Sequence, residues 1–191
     1  MVVCARRGNV VGIRGGSWAG NDALRRGAGG EWEIHGDPQE AAFLVAERNL
    51  GISGRRGRRV ERIGEIPFTS ERKMMSTIEL DHEHNDEVVL ITKGAPDVLL
   101  ERCTRARVGM ELVDLDDALR ARLLADVDTL SDAALRTLAV AYRPLGAGED
   151  RQAAESLERD LVFVGTVGII DPPREEAAVA IHEAHRAGIR V

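Results

Sequence analysis

Ile91-Thr92-Lys93-Gly94-Ala95-Pro96-Asp97-Val98-Leu99-Leu100 is the stretch that decides how the chain is organised. The residues before it, Glu87 to Ile91, form a short, apolar, β-branched run that is typical of a buried strand. After it, Pro96 suits the first position of a helix, and apolar residues continue at helical spacing to Cys103. The stretch therefore predicts a strand that ends at a lysine and a glycine and leads into a helix.

Lys93 and Gly94 stand at the junction of these two elements. A glycine lets the backbone approach a ligand without a Cβ in the way. A helix N-terminus with a cation beside it attracts anions, so the junction suggests an anion site. A strand-to-helix turn with an exposed lysine explains the same residues, and the motif alone favours that simpler explanation.

The composition bounds the classes of protein to which the chain can belong. Its 191 residues fit one domain, or one domain and part of a second, and an apolar fraction of 43% suffices for a core. A formal net charge of −6 argues against nucleic acid as a partner, because phosphate backbones select basic surfaces. The 2 cysteines are too few for a disulfide framework and indicate a reducing compartment. With no signal peptide and no bilayer-spanning apolar run, we expect a soluble segment that makes no membrane contact itself.

The patterning along the chain predicts strands and hairpins first, then a strand–helix–strand start at the end. Strands are expected at 31–35, 60–66, 74–80, 87–92, 108–113, 135–142 and 161–170. Helices are expected near 17–25 and after Asp37, Pro96, Asp114 and Asp171. This order favours an α+β fold with a mainly antiparallel sheet flanked by helices, followed by a fragment of a different α/β domain. We expect the chain to end within an element of that second domain.

Two charged loops invite other interpretations. Asp81 to Asp86 holds two histidines among carboxylates, but a hairpin loop with Asn-Asp at its tip explains it better than a metal site. Gly54 to Arg59 is a basic run that suits a polyanion, yet a run this short is more typical of a solvated linker. We therefore predict no metal site in the chain.

Six motifs occur in a fixed order along the sequence. They are Asn21-Asp22-Ala23, Gly36-Asp37-Pro38-Gln39-Glu40, Phe68-Thr69-Ser70-Glu71-Arg72-Lys73-Met74-Met75-Ser76, Lys93-Gly94-Ala95-Pro96, Leu135-Arg136-Thr137-Leu138-Ala139 and Asp171-Pro172-Pro173-Arg174. In content and order they resemble the nucleotide-binding domain of P-type cation-transporting ATPases, most closely the calcium-pump-like branch. The resemblance covers residues 17–191, and Ala187 to Val191 is similar to the stretch before the family's Thr-Gly-Asp motif. Each motif is weak alone, but six in register are specific.

The resemblance divides the chain into three parts. Residues 1–16 match nothing in the family, and residues 17–170 would be the nucleotide-binding domain. Residues 171–191 would be the start of the phosphorylation domain, with Asp171 to Arg174 as the hinge. Pumps of this family also have actuator and membrane domains, so the resemblance implies the rest of the pump as a partner. It places this segment at the cytoplasmic face of the membrane.

The resemblance also implies which residues hold the adenine end of ATP. Glu40 would contact that end, and Phe68 would stack on the ring. Lys73 and Lys93 would line the pocket, and Gly94 would allow close approach of the base. Stacking on an aromatic ring is worth on the order of 1–3 kcal/mol per base, and the lysines offset an otherwise acidic chain.

At the other end of the nucleotide, Arg136 would meet the phosphates and Leu138 would pack nearby. Taken singly, a core position explains Phe68 equally well, and a surface ion pair explains Arg136. Two positions depart from the family pattern: Gln39 stands in place of a small hydroxyl residue, and Ser70 in place of a phosphate-binding arginine found in some calcium pumps.

The resemblance implies an ATP-driven cation translocase in which this chain binds Mg-ATP and positions it for phosphoryl transfer to an aspartate outside this sequence. The 191 residues contain neither Asp-Lys-Thr-Gly nor Thr-Gly-Asp. We therefore expect the isolated chain to bind ATP without hydrolysing it and to hold no catalytic residue. The alternative is a non-catalytic remnant or a regulatory module that pairs with a full-length pump, for example through Ile189 to Val191. A dehalogenase-like hydrolase is excluded, because no aspartate nucleophile motif is present.

Overall fold

A computed structural model of the chain describes residues 3–4, 24–26, 32–34, 60–149, 154–169 and 175–190. The strands are β1 (Val3–Cys4), β2 (Leu24–Arg26), β3 (Trp32–Ile34), β4 (Val60–Thr69), β5 (Met74–Asp81), β6 (Glu87–Gly94), β7 (Cys103–Val108), β8 (Glu111–Asp114), β9 (Arg136–Pro144) and β10 (Leu161–Ile169). The helices are α1 (Pro96–Glu101), α2 (Asp117–Asp132) and α3 (Glu175–Arg186), and short 3-10 turns lie at His82–His84 and Glu155–Leu157.

Most of these strands belong to one large sheet. Seven of them follow one another in the order β4-β5-β6-β9-β10-β7-β8. Neighbours on this path pair antiparallel, except for β10 and β7, which run parallel. β1 pairs antiparallel with the far end of β10, and β2 and β3 form a separate two-stranded sheet. The predicted α+β class with a mainly antiparallel sheet is confirmed.

One face of the large sheet carries the hydrophobic core, and we call it the core face. In β6, buried residues alternate with half-buried ones at the period of two that a strand imposes. Helix α1 packs against β6 and β9, and α2 packs against β9 and β10. Fully buried apolar side chains of this core include Met74, Ile78, Leu90, Leu99 and Leu161. Burial of this apolar surface is the main force that holds the helices on the sheet.

The helix after Pro96 is shorter than the sequence predicts. It ends at Glu101, and Cys103 begins β7 instead of extending the helix. The strand expected at 108–113 is the second arm of a β7–β8 hairpin, which turns at Gly109 with φ 64°. The error arose because pairing with β10, in which Leu161 lies opposite Cys103, overrides the local helical spacing.

Helix α2 begins later than the sequence predicts. Asp116, not Asp114, caps it, and the Asp116 carboxylate accepts a hydrogen bond from the Leu119 N–H at 2.7 Å. Leu115 precedes the helix, where it is buried and donates its N–H to the Thr104 carbonyl. Within the helix, Leu119 and Leu123 pack against the core.

Other boundaries differ because pairing extends the strands. β4 runs to Thr69 and β6 runs to Gly94, so Phe68 and Lys93 lie inside strands. The prediction of a helix near 17–25 is wrong for its last residues, because Leu24–Arg26 is a strand that pairs with Trp32–Ile34. The helix expected after Asp37 and the basic run 54–59 lie outside the described residues.

The loop rich in histidine and aspartate is a hairpin connection between β5 and β6. At its tip, Asn85 and Asp86 take left-handed φ angles of 54° and 56°, which suits a tight turn. The His82 and His84 rings pair with carboxylates, His82 with Asp86 at 2.7 Å and His84 with Asp81 at 3.0 Å. Over the described parts of the chain, no three His, Cys, Asp or Glu side chains are grouped in a way that could hold a metal ion.

Helix α3 leaves much of its apolar surface uncovered. Val179 is 61% exposed and Ile181 is 41% exposed. No helix among the described residues has the length and apolar character needed to cross a membrane. The expected hinge, Asp171 to Arg174, lies outside the described residues, so the division of the chain at residue 170 stays a prediction.

We predict that the backbone amides of α3 exchange with solvent faster than those of β5 and β6. Few buried contacts oppose local opening of α3, whereas β5 and β6 are central strands with buried residues along their length. Hydrogen exchange followed by mass spectrometry compares the two segments directly. Equal protection would show that α3 docks firmly on this domain and would move the proposed boundary beyond residue 170.

Glu149, in the loop after β9, forms a partly buried ion pair with Arg143, near the end of β9. Arg143 Nη1 donates to Glu149 Oε1 at 2.7 Å, and the Gly146 N–H donates to Oε2 at 2.8 Å. The hydrogen bond from Arg143, and then that from Gly146, hold the pKa of the Glu149 carboxyl below its usual value of 4.5. Because the pKa is lower in the folded state, the stabilisation is present above the unfolded value and is lost as the pH falls through the folded value.

We therefore predict that Glu149→Gln unfolds more easily than the parent at pH 7, and that the difference shrinks as the pH falls from about 5 toward 3. Urea denaturation of both proteins at several pH values measures the difference. A difference that stays constant over this range would contradict the assigned role of the carboxylate charge.

Candidate functional site

The site residues that the structure describes lie near one end of the large sheet. Gly94 in β6 is opposite Met74 in β5 and Ala139 in β9, and Thr69 in β4 is also opposite Met74. This row crosses four neighbouring strands. Four predicted residues are each adjacent in sequence to a member of the row: Phe68, Lys73, Lys93 and Leu138.

Three predicted residues share the face opposite the core. Lys93 is opposite Met75 and Val140, and directly opposed side chains in antiparallel strands lie on the same face. Leu138 and Arg136 precede Val140 in β9 by even numbers of residues, so strand alternation places them on that face too. We call the face that carries Lys93, Leu138 and Arg136 the site face.

Phe68 lies in the irregular stretch of β4 between Ile66 and Thr69, where the register with β5 shifts. Alternation assigns no face there, and the exposure of the side chain is the direct evidence. The ring is 58% exposed, which excludes the core position that the sequence left open. An exposed aromatic ring offers a flat apolar surface on which another ring can stack.

Arg136 is exposed at the start of β9, where it lies opposite Ile169. The alternative explanation of Arg136 was a surface ion pair, but none joins it to another residue in the described parts of the chain. Leu138 is half-buried and lies opposite Val167 in β10. The guanidinium therefore keeps its hydrogen-bonding groups on the surface beside a partly apolar strand.

The geometry of the sheet separates Phe68 from Arg136. Three strand spacings lie between β4 and β9, or about 14 Å at about 4.8 Å each. Arg136 also lies three residues before Ala139, about 10 Å further along the strand. The two side chains therefore suit the opposite ends of an extended ligand, one end flat and apolar and the other anionic.

Packing between strands explains why residue 94 is a glycine. A Cβ at this position would lie 2.6 Å from the Lys73 carbonyl oxygen and 2.6 Å from Met74 Cβ. Real Cβ atoms do not approach so closely, so a larger residue would push the β5 backbone away from β6. The contact is on the core face, and a contact between Gly94 and a ligand stays a prediction.

Lys73 closes the turn between β4 and β5. Its φ of 52° is left-handed, and its N–H donates to the Thr69 carbonyl at 2.8 Å. Its own carbonyl accepts the Ala95 N–H at 3.0 Å, which ties this turn to the junction of β6 and α1. The Lys73 side chain is exposed. Two site segments that are distant in sequence are therefore joined through the backbone.

A buried polar cluster beside this turn is not predicted by the sequence. It consists of Arg72, Ser76, Thr92 and Glu158, and the Glu158 residue is 1% exposed. The available signal was the alternation in β5 and β6, which places Ser76 and Thr92 at positions where apolar side chains are expected. Nothing in the local sequence indicates that Glu158 is their partner.

Two parts of the expected site are not described, and one cavity lies away from it. Glu40, expected at the adenine end, falls outside the described residues, as does the hinge. A surface cavity of about 350 Å³ lies between β8 and the start of α2. It contains none of the predicted site residues and is lined by Val108, Glu111, Val113, Asp114, Asp116, Ala118, Leu119 and Arg122.

Comparison with known proteins tests the resemblance. Residues 16–176 match the family model of the P-type ATPase cytoplasmic domain N. The chain is 43% identical over 162 residues to a calcium-transporting ATPase of Bacillus subtilis, an alignment that covers 84% of this chain and 18% of that protein. It is 38% identical over 156 residues to calcium-transporting ATPase 1 of Bacillus cereus, with 81% and 17% covered. A probable cation-transporting ATPase F of Mycobacterium bovis is 34% identical over 174 residues, with 90% and 18% covered.

The chain thus spans less than a fifth of the length of these relatives, which are 17% to 18% covered. The family match extends over most of the described sheet and includes every predicted site residue, from Glu40 to Leu138. The resemblance carried by the six motifs is confirmed. This chain belongs to the P-type ATPase family, in which it corresponds to the cytoplasmic domain N.

Proposed function

We propose that this domain binds ATP on the site face and holds it for phosphoryl transfer to an aspartate in another domain of a P-type cation pump. The observation that carries the proposal is the placement of Lys93, Leu138 and Arg136 on one face near one end of the sheet, with the exposed Phe68 two strands from Lys93 at the same end. These residues come from three strands. The aromatic side chain is on β4 and the guanidinium is on β9, which matches a nucleotide with a flat base at one end and anionic phosphates at the other.

The adenine end of the ligand would lie at Phe68, where the exposed ring supplies stacking. Glu40 would contact the same end, and Lys73 and Lys93 would line the pocket. Lys93 is half-buried near the end of β6, which lies between β5 and β9, so its charge is screened less by solvent than that of a fully exposed lysine.

The phosphates would lie toward Arg136, whose guanidinium can donate two parallel hydrogen bonds to phosphate oxygens. Leu138 would pack against the nucleotide between the two ends. Magnesium would reach the site as Mg-ATP, bound to phosphate oxygens, which are the ligands that it prefers.

The chemical role of this domain would be binding and orientation. The γ-phosphoryl group would pass to an aspartate outside this sequence: its carboxylate oxygen would attack the γ-phosphorus in line, and ADP would leave. Residues 171–174 would form the hinge to the phosphorylation domain, at the cytoplasmic face of the membrane. The relatives named calcium-transporting ATPases favour a calcium pump, or a related cation pump, as the whole protein.

We predict that Phe68→Ala weakens the binding of ATP, ADP and AMP by similar factors, because all three share the stacked base. The loss should correspond to on the order of 1–3 kcal/mol for each nucleotide. Isothermal titration calorimetry or NMR titration of the three nucleotides measures it. Val179→Ala, which truncates another exposed apolar side chain on α3, outside the sheet, is the matched control. If Phe68→Ala binds like the parent, the site is misplaced.

We predict that Arg136→Ala weakens the binding of ATP more than the binding of AMP. A charge-assisted hydrogen bond worth roughly 1.5–3 kcal/mol forms only where the ligand has distal phosphates. The same titrations give the ratio of ATP to AMP affinity. Arg122→Ala removes an equal charge from exposed α2 on the core side and should leave the ratio unchanged. An unchanged ratio in Arg136→Ala would contradict the phosphate role.

We predict that the isolated chain forms no acyl-phosphate. Its sequence holds no Asp-Lys-Thr-Gly motif to provide the nucleophile. After incubation with γ-labelled Mg-ATP, the protein should carry no label, although calorimetry detects ATP binding. A hydroxylamine-sensitive label would overturn the proposed division of labour. A chain that binds no nucleotide at all would favour the non-catalytic remnant or regulatory module.

A further inference from the structure

Arg72 closes the segment that carries Phe68 and Lys73. Its Nη2 donates to the Pro67 carbonyl at 2.6 Å and to the Met74 carbonyl at 2.8 Å. Pro67 and Met74 flank the segment on either side, so one guanidinium group fixes both of its ends. The Arg72 N–H also donates to Thr69 Oγ1 at 3.3 Å, within the turn itself.

Glu158 holds Arg72 from a distant part of the chain. Arg72 Nη1 lies 3.2 Å from one carboxylate oxygen of Glu158 and 3.4 Å from the other. Glu158 follows the 3-10 turn Glu155–Leu157, just before β10. The side chains are 1% exposed for Glu158 and 11% for Arg72, so both charges lie largely out of water.

The same carboxylate also reaches the strand that carries Lys93. Ser76 Oγ donates to Glu158 Oε1 at 2.7 Å and lies 2.8 Å from Thr92 Oγ1. Ser76 and Thr92 are buried, and Thr92 precedes Lys93 in β6. A continuous polar chain therefore runs from Thr92 through Ser76 and Glu158 to Arg72.

A buried ion pair of this kind contributes little net stability, because the cost of removing two charges from water offsets their attraction. Its directional hydrogen bonds do fix the relative positions of the groups that they join. Glu158 is linked through Arg72 to the turn that carries Phe68. Through Ser76 it is linked to Thr92, the residue before Lys93.

We propose that Glu158 is a positioning residue for nucleotide binding. By holding Arg72 and Ser76, it keeps the Phe68 ring and the β6 strand of Lys93 at the separation that the base end of the ligand requires. This inference rests on the proposed binding of ATP at the site face. It assigns to Glu158 no contact with the nucleotide.

The test is Glu158→Gln, which keeps the shape of the side chain and removes its charge. Adenosine, AMP and ATP affinities should fall by a common factor of about five to ten, because only the base end is displaced. The preference for ATP over AMP should not change. Titrations are made at a temperature at which circular dichroism and NMR spectra show each variant to be folded.

The matched control is Glu149→Gln, which removes the charge from a different Arg–Glu pair, that of Glu149 with Arg143 at 2.7 Å. It should lower stability and leave all three affinities at the parental values. If it weakens the nucleotides as much as Glu158→Gln does, loss of stability alone explains the effect and the positioning role is wrong.

A double-mutant cycle separates positioning from general support. In a Phe68→Ala background, Glu158→Gln should lower the affinity for adenosine by less than about twofold, because the ring that Glu158 positions is absent. Full additivity would overturn the proposal. If Glu158→Gln does not fold, Ser76→Ala removes one hydrogen bond to Glu158 and leaves the ion pair. It should weaken adenosine by about two- to threefold with the same dependence on Phe68.

The outcomes distinguish this inference from the function on which it rests. If the parent chain binds no adenine nucleotide, the proposed function fails, and the positioning role fails with it. If the parent binds ATP and Phe68→Ala weakens it, but Glu158→Gln binds with parental affinity, only the positioning role is wrong.

Discussion

The close approach of β5 to β6 at Gly94 is the constraint on which the site depends. No side chain separates the two backbones there, since a Cβ would lie 2.6 Å from the Lys73 carbonyl oxygen. That carbonyl is consequently free to accept the Ala95 N–H at the start of α1. Close packing transmits any change at residue 94 to the turn that bears Phe68 and Lys73. The glycine thus acts through the fold, whatever its relation to a ligand.

The sequence predicts features that local interactions determine, and it does not predict features that depend on residues far apart in the chain. The β6–α1 junction, the antiparallel class and the residues of the site face are predictable, because alternation and motif order are local signals. β7 is not, because its pairing with β10 joins Cys103 to Leu161, and no local pattern reports a partner so distant. The ion pair of Arg72 and Glu158 cannot be predicted from the sequence for the same reason. The strand patterns place Ser76 and Thr92 at buried positions, which indicates only that they need a polar partner.

In the proposed function, this domain serves a reaction whose nucleophile lies in another domain. The exposed Phe68 is on β4 and the Arg136 guanidinium is on β9, and the strands between them set their separation. The proposed function requires this separation, because an extended nucleotide would then have its terminal phosphate far from the base. Strands rather than loops set this geometry. The exception is the turn between β4 and β5, which the polar chain from Thr92 to Arg72 holds in place.

β10 lies between β9 and β7, although it is made last of the three and pairs parallel with β7. During synthesis on the ribosome, the β7–β8 hairpin therefore leaves the exit tunnel well before its neighbour β10 does. At about 5–20 residues per second, the hairpin waits several seconds with one edge unpaired. Nascent chains of this domain thus pass through a stage in which β4 to β6 can assemble as a meander while β7 and β8 are available to chaperones. The last strand joins these two halves, so folding of the domain is completed from its C-terminal side.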